Sequence, residues 1–399
     1  MIQKAAGDRR VLVAGAGIAG LTAALAFAAK GFSVVVFERA EKLEEVGAGL
    51  QLSPNATRIL HSLGVLDDLE RYAVRPEAIL LKDAANLSIL AKVPLGSAAE
   101  MRWRAPYLVI HRADLQRVLV ERVQQIPEVT LRTGAELRDA HFRPGGVTAL
   151  VQEQERQHEV EGDLLVGADG VWSGLRQLTG GKPSNFTGYV AYRAVISHPI
   201  KAVLAPNAVT AFLSPDFHLI SYPLRGGAVT NLVLVARGEE VGRGWANAAD
   251  TDHLLGKTVK AAPALSALIR EAGAWTAWPI HEVQSESRWI DPRGLALIGD
   301  AAHALSPYAA QGAAMAIEDA ATLAALVAGG NQPAALAAFE HRRKRRVLRV
   351  ARRGEFNRFV WHAGGLIARA RNLVLRLKSE SSLAADLDWL YGYDALRQQ

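Results

Sequence analysis

The first forty residues change hydrophobic period twice. An unbroken apolar run at 11–14 reads as a buried strand, and glycines at 15, 17 and 20 mark a turn. The alanine-rich stretch 18–30 then reads as a helix, and the β-branched run 33–38 as a second buried strand. Further on, 41–55 reads as a glycine-containing loop, 56–69 as a helix and 79–93 as short strands. Leu115, Val118, Leu119 and Val123 form one stripe of a helix over 112–125. Strands are expected at 129–140, 147–152 and 163–166. From 189 to 235 the pattern is mostly period two, with a hairpin signal at Arg225–Ala228 (RGGA). Helical pattern returns around 252–272, then a strand at 295–298 and a helix at 313–327, and the chain from 333 onward is mostly helical.

This order predicts an α/β fold: a discontinuous Rossmann-like domain, a β-rich domain inserted in it, and a helical C-terminal extension. The expected boundaries are 1–75, 100–180 and 285–340 for the first, 76–99 and 181–284 for the second, and 341–399 for the third.

Composition narrows the chemistry. The 399 residues include no cysteine, which excludes disulfides, thiolate nucleophiles, cysteine-ligated zinc and iron–sulfur clusters. The longest uncharged apolar stretch, 11–29, approaches bilayer-spanning length. Its three glycines fall where a strand turns into a helix, so a soluble βαβ unit is expected, and with no other candidate span or address a cytoplasmic location. The net charge of +6 is local: residues 342–378 hold thirteen Lys/Arg and one acid, Glu355, while the rest carries 33 basic against 39 acidic residues.

Three stretches carry chemistry. Gly15, Gly17 and Gly20 form GxGxxG between strand and helix, allowing a tight turn, close approach of a pyrophosphate and close helix–strand packing. The helix start offers free N–H groups to phosphate. Glu38, ending the next strand with Arg39 beside it, is placed to accept hydrogen bonds from a ribose. This unit alone fits FAD and NAD equally. LLVGADGVWSGLR (Leu164–Arg176) puts Asp169–Gly170 after a buried strand, a reading shared with an ordinary capped turn. In IGDAAHALSPYAAQG (Ile298–Gly312), Asp300 follows a strand where hydroxyls, not phosphates, suit a carboxylate. Gly312–Ala313 opens a helix whose amides favour negative charge.

With HRADLQ (His111–Gln116) between the first two, and with EVGAGLQLSPNA, IEDA and DWLYGYD elsewhere, these motifs resemble the group A FAD-dependent aromatic hydroxylases over nearly the whole chain. The likeness is greatest to the salicylate, 3-hydroxybenzoate and 6-hydroxynicotinate hydroxylating members. It implies a glutathione-reductase-like FAD domain of the p-hydroxybenzoate hydroxylase type. It also implies a single-component monooxygenase that uses NADH or NADPH and O2 to hydroxylate a small aromatic acid through a flavin C4a-hydroperoxide. By the same resemblance, Gly15, Gly17, Gly20, Glu38 and Arg112 would hold the ADP half of FAD, and Asp300 its ribityl or pyrophosphate region. Pro307 and Gly312–Ala313 would line the ring, the Gly47–Ala48–Gly49 loop would flank it, and Asp169–Gly170 with Arg176 would serve FAD and NAD(P)H.

On the substrate side, period two places His218, Ile220, Tyr222 and Leu224 on one strand face. The His–x–x–x–Tyr spacing resembles the hydroxynicotinate and hydroxybenzoate members, and a His or Tyr there can take or relay a phenol proton. A substrate carboxylate would want a cation, for which Arg193 and Arg225 are candidates. His303 is expected to pack or cap near the flavin, and Glu318–Asp319 to be a solvated face or a helix–loop hydrogen bond, with no metal site. The basic segment is expected to be a helix packed on the body with solvated arginines; membrane contact and nucleic-acid binding are not expected, and the protein is read as a monomer or homodimer. Two rival readings remain: a same-fold hydroxylase or epoxidase of a lipophilic substrate at the membrane surface, and a non-catalytic dinucleotide-binding sensor.

Overall fold

The computed structural model describes residues 9–43, 49–197, 203–242, 247–284 and 286–397. A six-stranded sheet runs in the order Ile290–Asp291, Leu295–Leu297, Leu164–Gly167, Arg10–Ala14, Ser33–Glu38, Val129–Thr133. Only the first pair is antiparallel. The three central strands, Leu295–Leu297, Leu164–Gly167 and Arg10–Ala14, are nearly all apolar because helices cover both faces of such a sheet. Register pairs Ala14 with Gly167 and Gly167 with Leu297, so the three motif turns leave the sheet side by side. That edge, the carboxyl ends of parallel strands, is where open α/β sheets bind ligands.

The expected strand over 129–140 is two strands in two sheets. Gly134, at φ +68°, breaks it into Val129–Thr133 and Ala135–Arg143, and the latter enters a three-stranded antiparallel sheet with Gly146–Glu153 and Arg156–Gly162. The expected helix over 56–69 likewise splits into Pro54–Ser62 and Leu66–Glu70 around Gly64, at φ +68°. The loop expected over 41–55 contains the strand Gly49–Leu52, paired with Leu108–His111.

The eight-stranded sheet is ordered Asn247–Ala249, Trp275–Glu282, Asn185–Ile196, Val229–Arg237, Phe217–Leu224, Ala208–Leu213, Ala78–Asp83, Ile89–Pro94. Trp275–Glu282 escapes sequence reading because Pro279 interrupts it; that proline pairs beside an irregularity in its partner strand, where a missing N–H is tolerated. Alternation divides the sheet. Phe212, Leu219, Leu232 and Leu234 pack with Leu254, Leu265, Leu268 and Ile269 of the helices Thr251–Lys257 and Pro263–Ala272. The other face carries Arg193, His218, Tyr222 and Asn231, since His218 pairs with Val235, Tyr222 with Asn231 and Arg193 with Val233.

The chain closes with helices Gln332–Trp361, Gly365–Leu377, Glu380–Ala385 and Asp388–Tyr391. Among the described residues, no helix is long and apolar enough to cross a membrane.

Candidate active site

The glycine turn has the geometry that a phosphate would need. Gly15 has φ +102°, and a Cβ there would lie 2.6 Å from the Ala168 carbonyl oxygen of the next strand's end. A Cβ on Gly20 would lie 1.9 Å from the Gly15 oxygen, so the helix Ile18–Ala28 can seat against the turn only as glycine. At Gly17 a Cβ meets nothing within 4 Å, and no side chain caps the helix there. Open space in front of uncapped helix amides fits a pyrophosphate. Glu38 accepts from Ala16 N–H at 2.8 Å and Ala40 N–H at 3.0 Å, which fixes its carboxylate beside the turn. Arg39 is exposed and joins none of this.

The second and third motifs meet through Arg176. This buried side chain donates to the carbonyls of Val171 (3.0 Å), Asp300 (3.1 Å), Ala301 (2.8 Å) and, more weakly, Gly170 (3.4 Å). Rather than reaching toward a ligand, it braces the Asp169–Gly170 turn against the Asp300 turn. Asp169 accepts from Leu175 N–H with one oxygen, while its other oxygen is buried and has no partner among the described residues. Gly299, at φ +58°, sets Asp300 at the exposed start of the short helix Asp300–His303. Arg112 is the neighbouring cation: burial lowers its pKa, and the attraction of Asp300 opposes that shift. Gln116, one helical turn beyond Arg112, donates to the Ala16 carbonyl at 2.8 Å and ties the helix Arg112–Gln124 to the glycine turn. Gln116 closes the HRADLQ motif, and its i, i+4 spacing from Arg112 is the sequence sign of this tie.

Behind these turns lies a buried polar network. Glu318 and Asp319 are fully buried, which overturns the solvated-face reading and leaves the helix–loop bond. Asp319 accepts from Gly299 N–H (2.9 Å), from His303 and from Arg343 Nε (2.6 Å). Glu318 accepts from Arg343 (2.6 Å), Arg346 (3.0 Å) and Asn55 Nδ2 (2.7 Å). Asn55 also donates to Gln311, which in turn donates to Ser53. Burial pushes both carboxyls up, but the cations hold each below its usual range. Arg343 and Arg346 belong to the basic segment, so two arginines expected in solvent are counterions in the core, because two buried carboxylates require them. His303 bonds Asp319 and packs 4.8 Å from the Trp289 ring. Pro307 lies in the short turn Pro307–Ala309, and the helix Gly312–Ala328 starts uncapped, with open space where a Gly312 Cβ would be.

Across from these turns stands the polar face of the eight-stranded sheet. Gly49 N–H donates to Asn231 Oδ1 at 2.9 Å, and a Cβ on Gly49 would lie 2.5 Å from the Tyr222 ring. Gly47 and Ala48 lie outside the described residues. Tyr222 and Asn231 are buried, and Asn231 Nδ2 has no acceptor among the described residues. Arg193 rests on Trp278, 4.2 Å from the ring centroid, and its Nε is buried without a partner among the described residues. Burial pulls its pKa to about 10; Tyr222 opposes the shift and Arg112 adds to it. Arg225, the other candidate cation, is exposed on the hairpin and faces Asp114 at 3.4 Å.

His218, at the other end of its strand, sits in an aromatic cluster that the sequence did not announce. Its Nδ1 is 2.9 Å from His362 Nε2, and its ring lies 5.2 Å from Tyr308 and 5.0 Å from Trp361. Burial and then His362 depress its pKa well below the usual value; burial, Arg358 and Arg237 bring His362 to about 4. Both imidazoles are therefore neutral near pH 7. Tyr222 is raised by burial and stays a phenol. Tyr308 closes the cluster from the Pro307 turn, its buried hydroxyl without a partner. Trp361 ends the distant helix Gln332–Trp361 and His362 caps it, a contact no period in the sequence could signal.

Comparison with known proteins agrees with this geometry. A model of the FAD binding domain family matches residues 8–354. The 3-hydroxybenzoate 6-hydroxylase 1 of Aquipseudomonas alcaligenes is 35% identical over 396 residues, covering 97% of this chain and 98% of that protein. The 6-hydroxynicotinate 3-monooxygenase of Bordetella bronchiseptica is 30% identical over 410 residues, covering 97% and 96%. The crystal structure of Klebsiella pneumoniae HpxO with FAD and uric acid superposes with a TM-score of 0.84 at 23% identity, covering 97% of each chain. The family match over most of the chain and the identity to these relatives along nearly their full lengths show that the chain belongs to the FAD-dependent aromatic hydroxylases and is a flavoprotein monooxygenase with NAD(P)H as cosubstrate.

Proposed function

We propose that this enzyme hydroxylates a small aromatic acid bearing a ring hydroxyl or an equivalent ring donor, of the hydroxybenzoate or hydroxynicotinate type. The observation that carries the reading is the pair of buried donors without acceptors, Arg193 Nε and Asn231 Nδ2, on the same sheet face as Tyr222 and His218. Buried donors left unpaired cost about 1–3 kcal/mol each, which a bound carboxylate or phenolate oxygen would recover. Arg193 takes the carboxylate. Tyr222, held as a phenol, donates to the substrate oxygen. His218, neutral and hydrogen-bonded to His362, accepts the phenol proton and shares it along that bond.

On the cofactor side, Gly15, Gly17, Gly20 and Glu38 hold the ADP half. Asp300, beside Arg112 and above Arg176, accepts from the ribityl chain. Pro307, Gly49, Gly312 and Ala313 border the ring, and the uncapped amides of Gly312–Ala328 favour negative charge there. FAD bound in this groove supplies, after reduction by NAD(P)H and with O2, an electrophilic oxygen. The chain's part is to hold the acid end of the substrate, activate its ring and exclude water.

The test is NAD(P)H oxidation with O2 uptake across hydroxybenzoates, hydroxynicotinates and matched phenols without a carboxylate. Coupled turnover confined to acids is expected; equal turnover of the neutral phenols would refute the assignment of Arg193. Asp300→Ala should lower FAD retention, and an unchanged flavin content would remove Asp300 from the cofactor site.

A further inference from the structure

The helix Gly365–Leu377 packs on the body through Leu375 and leaves most of its apolar residues outward. Its most buried residue is Arg371, 9% exposed, which donates to the carbonyls of Val360 and Trp361. Leu366, Ile367, Leu373, Val374 and Leu377 face outward, each between 55% and 79% exposed. Phe356 and Phe359, at the end of Gln332–Trp361, are 57% and 62% exposed. A solvated helix would present these faces the other way round. The segment does pack on the body, through Arg371, Asn372 and Leu375, and Arg369 and Arg376 are exposed; the expectation of solvated arginines fails at Arg371, and the apolar stripe is left outward.

The charge around the apolar face points to the occupant. Arg345, Arg349 and Arg352 are exposed at i, i+4, i+7 and continue into Phe356 and Phe359 on the same stripe. Arg369 and Arg376 flank the leucines. Glu355 is the one acid within 342–378, and the acids just beyond, Glu380 and Asp386, are taken up by Lys92 and Lys378. Two copies meeting through this face would bring like charges together. An apolar stripe rimmed by arginines suits an interface that is apolar within and anionic at its edge.

We propose that this face docks on an anionic lipid bilayer, with the leucine stripe of Gly365–Leu377 and Phe356 and Phe359 entering the headgroup boundary and the arginines meeting lipid phosphates. Docking of this kind lies in the membrane plane and spans nothing.

The experiment is co-sedimentation of the FAD-loaded enzyme with vesicles of phosphatidylcholine, alone or with one-third phosphatidylglycerol, at low and high salt, with light scattering on the same protein. Expected is a monomer, or a dimer that Leu366→Glu/Leu373→Glu leaves intact, binding anionic vesicles at least about tenfold better than neutral ones and releasing in high salt. The double variant should lose vesicle binding while keeping FAD and turnover of soluble substrate. Ile367→Ser/Val374→Ser, a milder change, should weaken binding in part. No preference for anionic vesicles would overturn the proposal. So would a dimer in buffer that Leu366→Glu/Leu373→Glu dissociates, since the face would then be covered by a second copy.

Discussion

Two groups of buried polar side chains differ in one respect. Around Arg343, carboxylates and cations are matched: Glu318 and Asp319 receive hydrogen bonds from Arg343, Arg346, His303, Asn55 and Gly299. Around Arg193 they are not: Arg193 Nε and Asn231 Nδ2 are buried and unpaired. Burial lowers the pKa of Arg193, whereas the attraction of Glu318 and Asp319 overcomes burial and raises that of Arg343. A saturated network holds a fold together, and an unsaturated one keeps valence for a ligand.

The contrast breaks most visibly at Arg343. Arg343→Met removes the cation that Glu318 and Asp319 share, leaving Arg346 on the one and His303 on the other, and should cost about 3–5 kcal/mol. Urea unfolding measures it, and an unchanged midpoint would mean that the network bears no stability. Arg193→Met should do the reverse: stability stays near that of the parent protein, while kcat/KM for an aromatic acid falls about ten- to a hundredfold, the worth of a charge-assisted hydrogen bond. A phenol lacking the carboxylate should lose little. Equal losses for both would place Arg193 among structural residues. Tyr222→Phe should slow product formation roughly fivefold, from one neutral hydrogen bond, and leave flavin reduction untouched. Stopped-flow separation of the two steps decides it.

The smallest effect is one of pH. His218 and His362 bind protons less readily in the folded chain than in the unfolded one, with His362 brought down to about 4 from an ordinary 6.5. Between those values the unfolded state carries more protons, so stability falls as the pH drops from about 6.5 toward 4. His362→Asn should flatten that slope in a series of unfolding curves, and a slope unaffected by the change would mean the pair is not buried together.

Local chemistry was legible in the sequence, and distant pairing was not. Gly15, Gly17, Gly20, Asp169 and Asp300 stand out because each sits at a strand end with a turn residue beside it, and the strand register sets the three turns together. The common face of His218 and Tyr222 follows from period two alone. Gly64 and Gly134 were visible but read through, since the hydrophobic pattern on either side runs on as if no left-handed residue intervened. The roles of Arg343 and Arg346 were hidden, because a run of arginines looks the same whether it meets water or carboxylates. The His218–His362 contact spans 144 residues and has no local sign.

The arginines of Gln332–Trp361 also tie the end of the chain to its middle. Arg343 and Arg346 are the buried counterions of Glu318 and Asp319, which lie 24 to 28 residues earlier. A chain cut before Arg343 would hold those two carboxylates without either arginine, so the core around Gly312–Ala328 depends on the helix that follows it.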